Sequence, residues 1–279
     1  MSARPTISIV TPSFNQARYL EKTICSVLDQ GYPGLEYIIM DGGSTDGSVE
    51  IIRKYAPRLA HWQSAPDRGQ GPAIIEGWKR ARGDLITWLN SDDVLLAGAL
   101  EKVAEAYRPD RHYYYGDLVF MDDAGLTTHY MLAPDDMELL YRNGLLLHGQ
   151  PGTFYARELA EKVGYFREDL RMAMEYDILL ALLGAGARMQ RIDGPLAALR
   201  EYATTKTNQL RAVGTTERRD VFRQRIRSVL RYSLTRFPTG QVVRALMRLR
   251  YVDPRTWRRV ALKWRLSTRP TPVDVLRAF

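Results

Sequence analysis

Cysteine is almost missing from this 279-residue chain, where Cys25 stands alone. A single thiol cannot close an internal disulfide, so a disulfide-stapled scaffold is excluded and a reducing, cytoplasmic compartment fits. Cys25 falls in a helical pattern with Leu20, Ile24, Val27 and Leu28 and reads as core. Long apolar runs are missing too. A membrane-spanning helix needs roughly 18 apolar residues, and the longest candidate, Ile178 to Ala187, falls well short. Met1 to Thr6 is short and polar, so no export leader is expected. Neither a G-x-G-x-x-G fingerprint nor a lysine-bearing Walker loop occurs. That argues against a dinucleotide-binding dehydrogenase and against a P-loop kinase.

What is present is a chain that is 45% hydrophobic, enough for one large domain or a domain with an appendage. Its charge is split. Residues 200–279 hold 20 Lys/Arg against 5 Asp/Glu, a net of +15, while residues 1–199 hold 20 against 27, a net of −7. An acidic body with a basic tail implies two jobs, or one job and an anchor.

The acidic body centres on Leu85-Ile86-Thr87-Trp88-Leu89-Asn90-Ser91-Asp92-Asp93. The five leading residues read as a buried strand that ends in two adjacent carboxylates. Like charges repel there unless a cation or proton lies between them. Hard oxygen ligands suit Mg²⁺ or Mn²⁺, which takes one or two protein carboxylates and completes its shell with substrate phosphates. The alternative is a solvated turn in which Ser91 or Asp92 caps a following helix.

Upstream, Ile7 to Val10 reads as a strand, and Thr11-Pro12-Ser13-Phe14-Asn15 as the turn after it. A helix stopped by Gly31 and Pro33 follows, then a strand over Glu36 to Met40. That strand ends in Asp41-Gly42-Gly43-Ser44-Thr45-Asp46-Gly47-Ser48, and a helix carries Val49, Ile52 and Tyr55. The β-α-β-α alternation implies a parallel sheet whose ligands sit beyond the carboxyl ends of its strands. All three polar strings, 11–15, 41–48 and 90–93, fall at such ends. Asp41 has the chemistry to accept hydrogen bonds from a base or ribose, and Gly42 and Gly43 let a ligand approach the backbone. Asp46 either does similar work or caps the helix at Val49.

Further on, His112 to Phe120 reads as a strand and Asp122-Asp123-Ala124-Gly125 as a hairpin turn leading to Thr127 to Met131. Met172 to Leu180 opens a helix that stops at Gly184, with Glu175 and Asp177 in a first turn where the helix dipole favours acids.

Taken together, the strings at 11–15, 41–48 and 90–93, with Trp62 to Gln70 and Ala81-Arg82-Gly83-Asp84, resemble the nucleotide-sugar half of family 2 glycosyltransferases. The resemblance covers roughly residues 5–205. It implies an α/β fold of GT-A type, with a Rossmann-like mixed sheet flanked by helices. It also implies an inverting transfer from a nucleotide-diphosphate sugar to a glycan or lipid-linked acceptor. On this basis a catalytic domain is expected over 1–210, with a nucleotide-sugar half at 1–100 and an acceptor-side half at 101–210, followed by a basic helical extension at 211–279.

By the same resemblance, Asp41 meets the nucleobase, Asp67 and Arg68 lie near the donor, and Asp92 binds Mg²⁺ or Mn²⁺, helped by Asp93. Thr11, Pro12, Asn15 and Ser91 belong to the donor-facing strings. The chain departs from the D-x-D pattern at Asn90, which is left to donate to the ribose or donor sugar. Glu175 stands where the family carries its general base, with Asp177 as second choice. Leu145 to Tyr155 resembles the acceptor-side segment, in which His148 touches acceptor or phosphate or is a structural group. Relatives often place a histidine where Tyr202 stands. Tyrosine is a poor metal ligand at neutral pH, so Arg200 and Lys206 are the expected diphosphate clamps.

In the tail, Phe222, Ile226, Val229 and Leu230 keep helical spacing, and Asp253-Pro254 makes a helix start. Trp257, Val260, Ala261 and Trp264 then form one face of a basic helix. Such a helix suits an anionic membrane surface, which allows peripheral attachment to the inner face of the cell membrane, or it packs on the body or on a second copy in a homo-oligomer. Two other readings are a nucleic-acid-binding protein working through the tail, disfavoured by the acidic body, and a catalytically dead partner subunit, supported by Asn90 and Tyr202.

Overall fold

The computed structural model describes residues 4–135, 137, 149–232 and 273. The chain starts with strand β1 (Ile7–Ser13), helix α1 (Ala17–Leu28), β2 (Leu35–Asp41), α2 (Ser48–Tyr55), β3 (His61–Ser64), α3 (Gln70–Arg80) and β4 (Leu85–Trp88). It continues through β5 (Val94–Leu95), α4 (Ala99–Ala106), β6 (Tyr113–Met121) and β7 (Thr127–Met131). After these come β8 (Thr153–Ala156), α5 (Arg157–Lys162), α6 (Met174–Gly184), β9 (Met189–Arg200), α7 (Lys206–Gln209) and α8 (Arg211–Tyr232). Among the described residues these strands form one mixed sheet in the order β3-β2-β1-β4-β8-β6-β9-β5, with β7 paired to β6. The β3-β2-β1-β4 end is parallel, and β8 runs antiparallel to both β4 and β6. Strands from the 1–100 and 101–210 segments share this one sheet, and β5 of the first segment lies at the far end beside β9. No helix among the described residues is long and apolar enough to cross a membrane.

Strand periodicity divides the core. Val10, Ile38, Met40, Ile86 and Trp88 face one side of the sheet, where α3 and α6 bury Trp78, Ile178 and Leu182 against them. Ile7, Ile9, Tyr37, Ile39 and Leu85 face the other, against Leu20, Ile24 and Val27 of α1 and Leu100 and Val103 of α4. Alternate residues point to opposite faces of a strand, so runs apolar at every position mark strands covered on both sides. The sheet approaches α3 closely at Gly77, where a Cβ would lie 2.5 Å from Val10 Cγ1.

Two local expectations are corrected. Strand β1 runs through Thr11 and Pro12 to Ser13 instead of turning at Thr11. Its pairing with β4 ends at Val10, while its pairing with β2 continues to Ser13. The missing N–H of Pro12 therefore costs no ladder bond on the open side. The Asn90–Asp93 string does not cap a helix directly. Val94 and Leu95 first pair with Ala198 and Ala197 of β9, and α4 begins at Ala99. Those partners are about a hundred residues away, so local pattern could not show them.

The basic stretch after residue 210 opens with α8, which packs on α6. Val221 is fully buried in the core and Phe222 lies against it. The Arg225 guanidinium makes two hydrogen bonds to Asp177, at 2.8 and 2.9 Å. Asp177 is fully buried and also accepts the Arg167 N–H at 2.9 Å. Far along the chain, the Val273 N–H donates to Gly125 in the β6–β7 turn. His148, Asp253-Pro254, Trp257, Val260, Ala261 and Trp264 lie outside the described residues.

Removing one member of a buried ion pair leaves the other uncompensated, at roughly 3–5 kcal/mol. Because the Arg225 side chain is 30% exposed, Asp177→Ala is expected to cost less, about 2–4 kcal/mol, lowering Tm by about 5–10 °C. Calorimetry of the variant checks this, and a Tm within a degree of wild type would show that the pair does not hold α8 to α6.

Candidate functional site

The carboxyl ends of β1, β2 and β4 open into a cleft of about 2130 Å³. Pockets for a single small ligand run to roughly 300–1,000 Å³, so two substrates have room here. One wall comes from the first half of the chain: Pro12, Ser13 and Phe14, Gly42 and Gly43, Asp67 to Gln70, and Asn90 to Asp93. The rest of the lining comes from the second half: Tyr130 to Asp135, Gln150, Glu168 to Met172, Glu175, Tyr202, Lys206 and Arg218.

The loop after β2 is built around Asp41, which is buried. Its carboxylate accepts from Ser44 N–H at 2.9 Å, Ser44 Oγ at 2.6 Å and Ser64 Oγ at 2.7 Å. The Asp41 oxygens are spent folding the loop, and the groups of this loop that face the cleft are Gly42 and Gly43. Asn15, with φ 52°, accepts the Thr45 N–H and donates its own N–H to Ser44 Oγ, tying the first loop to the second. Asp46 accepts from Ser48 N–H, Ser48 Oγ and Ala17 N–H, joining α1 and α2. Thr11 is buried against the Tyr37 hydroxyl, 2.9 Å away, below the cleft floor.

The acidic pair divides its labour. Asp93 is 2% exposed. One of its oxygens accepts the Arg200 N–H at 2.9 Å and the other the Asn90 side-chain amide at 3.1 Å. Burial, and then the neighbouring Asp92, push its carboxyl well above the usual range. Asp92 lines the cleft, and its one side-chain partner among the described residues is the Tyr202 hydroxyl, 2.9 Å away. Burial raises its pKa, and the Tyr202 bond offsets part of this. Arg200 lines the cleft, and part of its guanidinium is engaged by backbone. Its guanidinium donates to the backbone oxygens of Asp92, Asp122 and Asp123 and stacks over Tyr19. It therefore braces the acidic turn.

Asn90 accepts from the Gln70 amide at 2.7 Å, and Gln70 in turn accepts from Lys206 Nζ. This chain spans the cleft from the β4 end to α7. Across the mouth, Arg68 pairs with Glu168 at 2.8 Å. Asp67 accepts the Gly69 N–H, fixing the entry to α3.

Glu175 lies in the first turn of α6 and lines the cleft. Its carboxylate accepts from no other side chain among the described residues. Burial pushes its pKa up, and the positive charges of Arg218 and Lys206 draw it partly back. Asp177, two residues on, points away from the cleft into its pair with Arg225, so the geometry separates the two candidate bases. Phe14, 62% exposed beside Gly42, and Gln70 went unassigned in the sequence, although an aromatic inside a polar loop string was a usable signal for the first.

A family model for glycosyl transferase family 2 matches residues 8–163, more than half of the chain. The chain belongs to glycosyl transferase family 2. An uncharacterized glycosyltransferase of Mycobacterium tuberculosis is 43% identical over 94 residues, covering 33% of this chain and 36% of that protein. The chain thus matches about a third of that relative's length. Two solved structures share the fold. Staphylococcus aureus TarS 1–349 in complex with UDP-GlcNAc has a TM-score of 0.64 at 18% identity, covering 81% of this chain and 66% of that one. A mannosyltransferase from Pyrobaculum calidifontis in complex with GDP-Man and Mn²⁺ has a TM-score of 0.58 at 16% identity, covering 95% and 86%. The family 2 fold is the GT-A arrangement of mixed sheet and flanking helices seen here.

The donor set around the β4 end fits a divalent cation of the Mg²⁺ or Mn²⁺ type in one specific way. Asp92 offers a single cleft-facing carboxylate, whereas both Asp93 oxygens are engaged. Among the described residues no group of three or more His, Cys, Asp or Glu could hold a metal. One protein carboxylate completed by phosphate oxygens and water is a normal Mg²⁺ arrangement.

Proposed function

We propose that the chain is an inverting glycosyltransferase. It moves a sugar from a nucleotide-diphosphate donor to a hydroxyl of a glycan or lipid-linked acceptor, with Glu175 as general base. The observation that supports this most directly is a carboxylate raised by burial, without a side-chain partner among the described residues, lining the same cleft as Asp92, and the cleft is large enough for both substrates. The acceptor hydroxyl attacks the anomeric carbon from the face opposite the leaving diphosphate. Its O–H bond breaks to Glu175 as the new C–O bond forms and the bond to the diphosphate opens. Carboxyl groups work best in this role when their pKa lies near the operating pH, and a positioned base is worth about 10²–10⁴-fold. Asp177, the other acid of this helical turn, is buried in an ion pair and offers no nucleophile beside Glu175, so a single displacement is assigned. Asp92 would hold Mg²⁺ or Mn²⁺, which neutralises the leaving diphosphate. Gly42 and Gly43 leave the cleft wall open to close approach of the nucleotide, and Asn90, Gln70 and Lys206 line the path between donor and base.

The fold neighbours named above are solved with UDP-GlcNAc and with GDP-Man, which makes these two nucleotides the first to try. Thermal-shift measurements with UDP and GDP, with and without Mn²⁺, test the reading. Binding at a hundredfold excess over Kd contributes about 2.7 kcal/mol, so at least one nucleotide should raise Tm by several degrees with the metal. No shift with any nucleoside diphosphate would remove the donor assignment.

A further inference from the structure

The acceptor wall carries more positive charge than its own acids neutralise. Glu168 is paired with Arg68, and Asp169 with Arg167. Asp177 is paired with Arg225. Glu217 spends both oxygens on backbone: one accepts the Arg171 N–H at 2.9 Å, the other the Met172 and Ala173 N–H groups at 2.7 and 3.1 Å. That clasp ties α8 to the segment leading into α6, and it presents the next residue, Arg218, to the cleft. Arg171 and Arg218 both line the cleft, and among the described residues neither has a carboxylate within ion-pair distance. Both charges reach the reacting region: Arg218 acts on Glu175 and Arg171 on Lys206. Arg218 is half-buried and Arg171 exposed. Among the described residues neither guanidinium has a carboxylate partner, and Arg218 draws down the pKa of the base, which leaves both charges available to an anionic ligand.

We propose that Arg171 and Arg218 form an oxyanion subsite for the acceptor, so that the acceptor carries a phosphate or carboxylate close to the hydroxyl that is glycosylated. The inference rests on the reading of the cleft as a glycosyl-transfer site. Guanidinium groups match the planar and tetrahedral oxyanions through paired N–H donors, which ammonium groups do not. Arg218 acts on Glu175, whose carboxylate must reach the acceptor hydroxyl, and this assigns the subsite to the acceptor and not to the donor diphosphate. The anion has two sources, a phosphate of a lipid carrier or an acidic group of the glycan itself.

The test uses the full chain with saturating Mn²⁺ and either UDP or GDP. Decyl phosphate and methyl glucuronate are titrated by calorimetry beside the neutral decyl maltoside and methyl glucoside. The expected result is that at least one anionic probe binds more tightly than its neutral counterpart. Arg171→Gln and Arg218→Gln should each weaken that probe by about tenfold or more, with Arg→Lys intermediate and nucleotide affinity unchanged. Preference for decyl phosphate identifies a lipid carrier, and preference for the glucuronate an acidic glycan. Equal binding of anionic and neutral probes overturns the proposal. So does a variant that loses nucleotide and probe affinity together, because the arginines would then serve the donor. If Arg218→Gln does not fold, the exposed Arg171→Gln carries the test alone. Absence of nucleotide binding to the wild type counts against the transferase reading, while the probe comparison still reads the subsite.

Discussion

Glu175→Gln is expected to lower turnover by roughly 10²-fold or more while leaving nucleotide affinity unchanged. Glutamine keeps the size and the cleft-facing position of the side chain but cannot accept the acceptor's proton. The loss should fall on kcat and on kcat/KM alike, as for a contact that matters in the transition state. The pH profile gives an independent readout. Burial raises the Glu175 pKa, and the positive charges of Arg218 and Lys206 limit the rise, with Glu217 acting in the same direction as burial. The base works ionised, so activity should fall as pH drops through this raised value and level off above it. In Glu175→Gln that acid limb should disappear from the residual rate. Near-normal turnover in Glu175→Gln, or an unchanged acid limb, would remove the assignment. Asp177 offers no rescue, since its carboxylate is buried against Arg225 and Arg167.

The second large effect concerns Asp92. Asp92→Ala is expected to weaken Mn²⁺-dependent binding of the nucleoside diphosphate by about ten- to a hundredfold, because losing even the supporting contacts of a metal ligand has that consequence. Binding measured in EDTA should be weak for the wild type and no weaker for the variant. Asp93→Asn makes a useful contrast. Asp93 holds the turn through the Arg200 N–H and the Asn90 amide, so its replacement should act on Tm before it acts on metal affinity. Calorimetry with UDP and GDP, with Mn²⁺ and with EDTA, separates these. Wild-type affinity that is indifferent to EDTA and to Asp92→Ala would sink the metal role.

The sequence by itself determined the parallel half of the fold. Its strands are covered on both faces and so read as continuous apolar runs, its helices carry one apolar stripe, and the turn residues between them are local signals. The family followed from three polar strings at consecutive strand ends, because order along the chain survives in the sequence. Glu175 was first choice by the family resemblance, with Asp177 kept as second choice in the same helical turn. Partnership between distant side chains was not legible. Asp41, Asn15 and Asp46 look alike as polar loop residues, yet their oxygens are engaged by Ser44, Ser64, Thr45 and Ala17, which fold the loops together. Arg200 reads as a free cation until the folded chain shows its Nε and one terminal nitrogen donating to the backbone of two other loops. The compositional change near residue 210 likewise conceals that α8 returns to α6 through Val221 and Arg225. Period and composition are properties of neighbours in sequence. Which charges cancel, and which arginines line the cleft without a carboxylate partner among the described residues, depends on contacts made across forty to a hundred residues, and only the tertiary structure decides those.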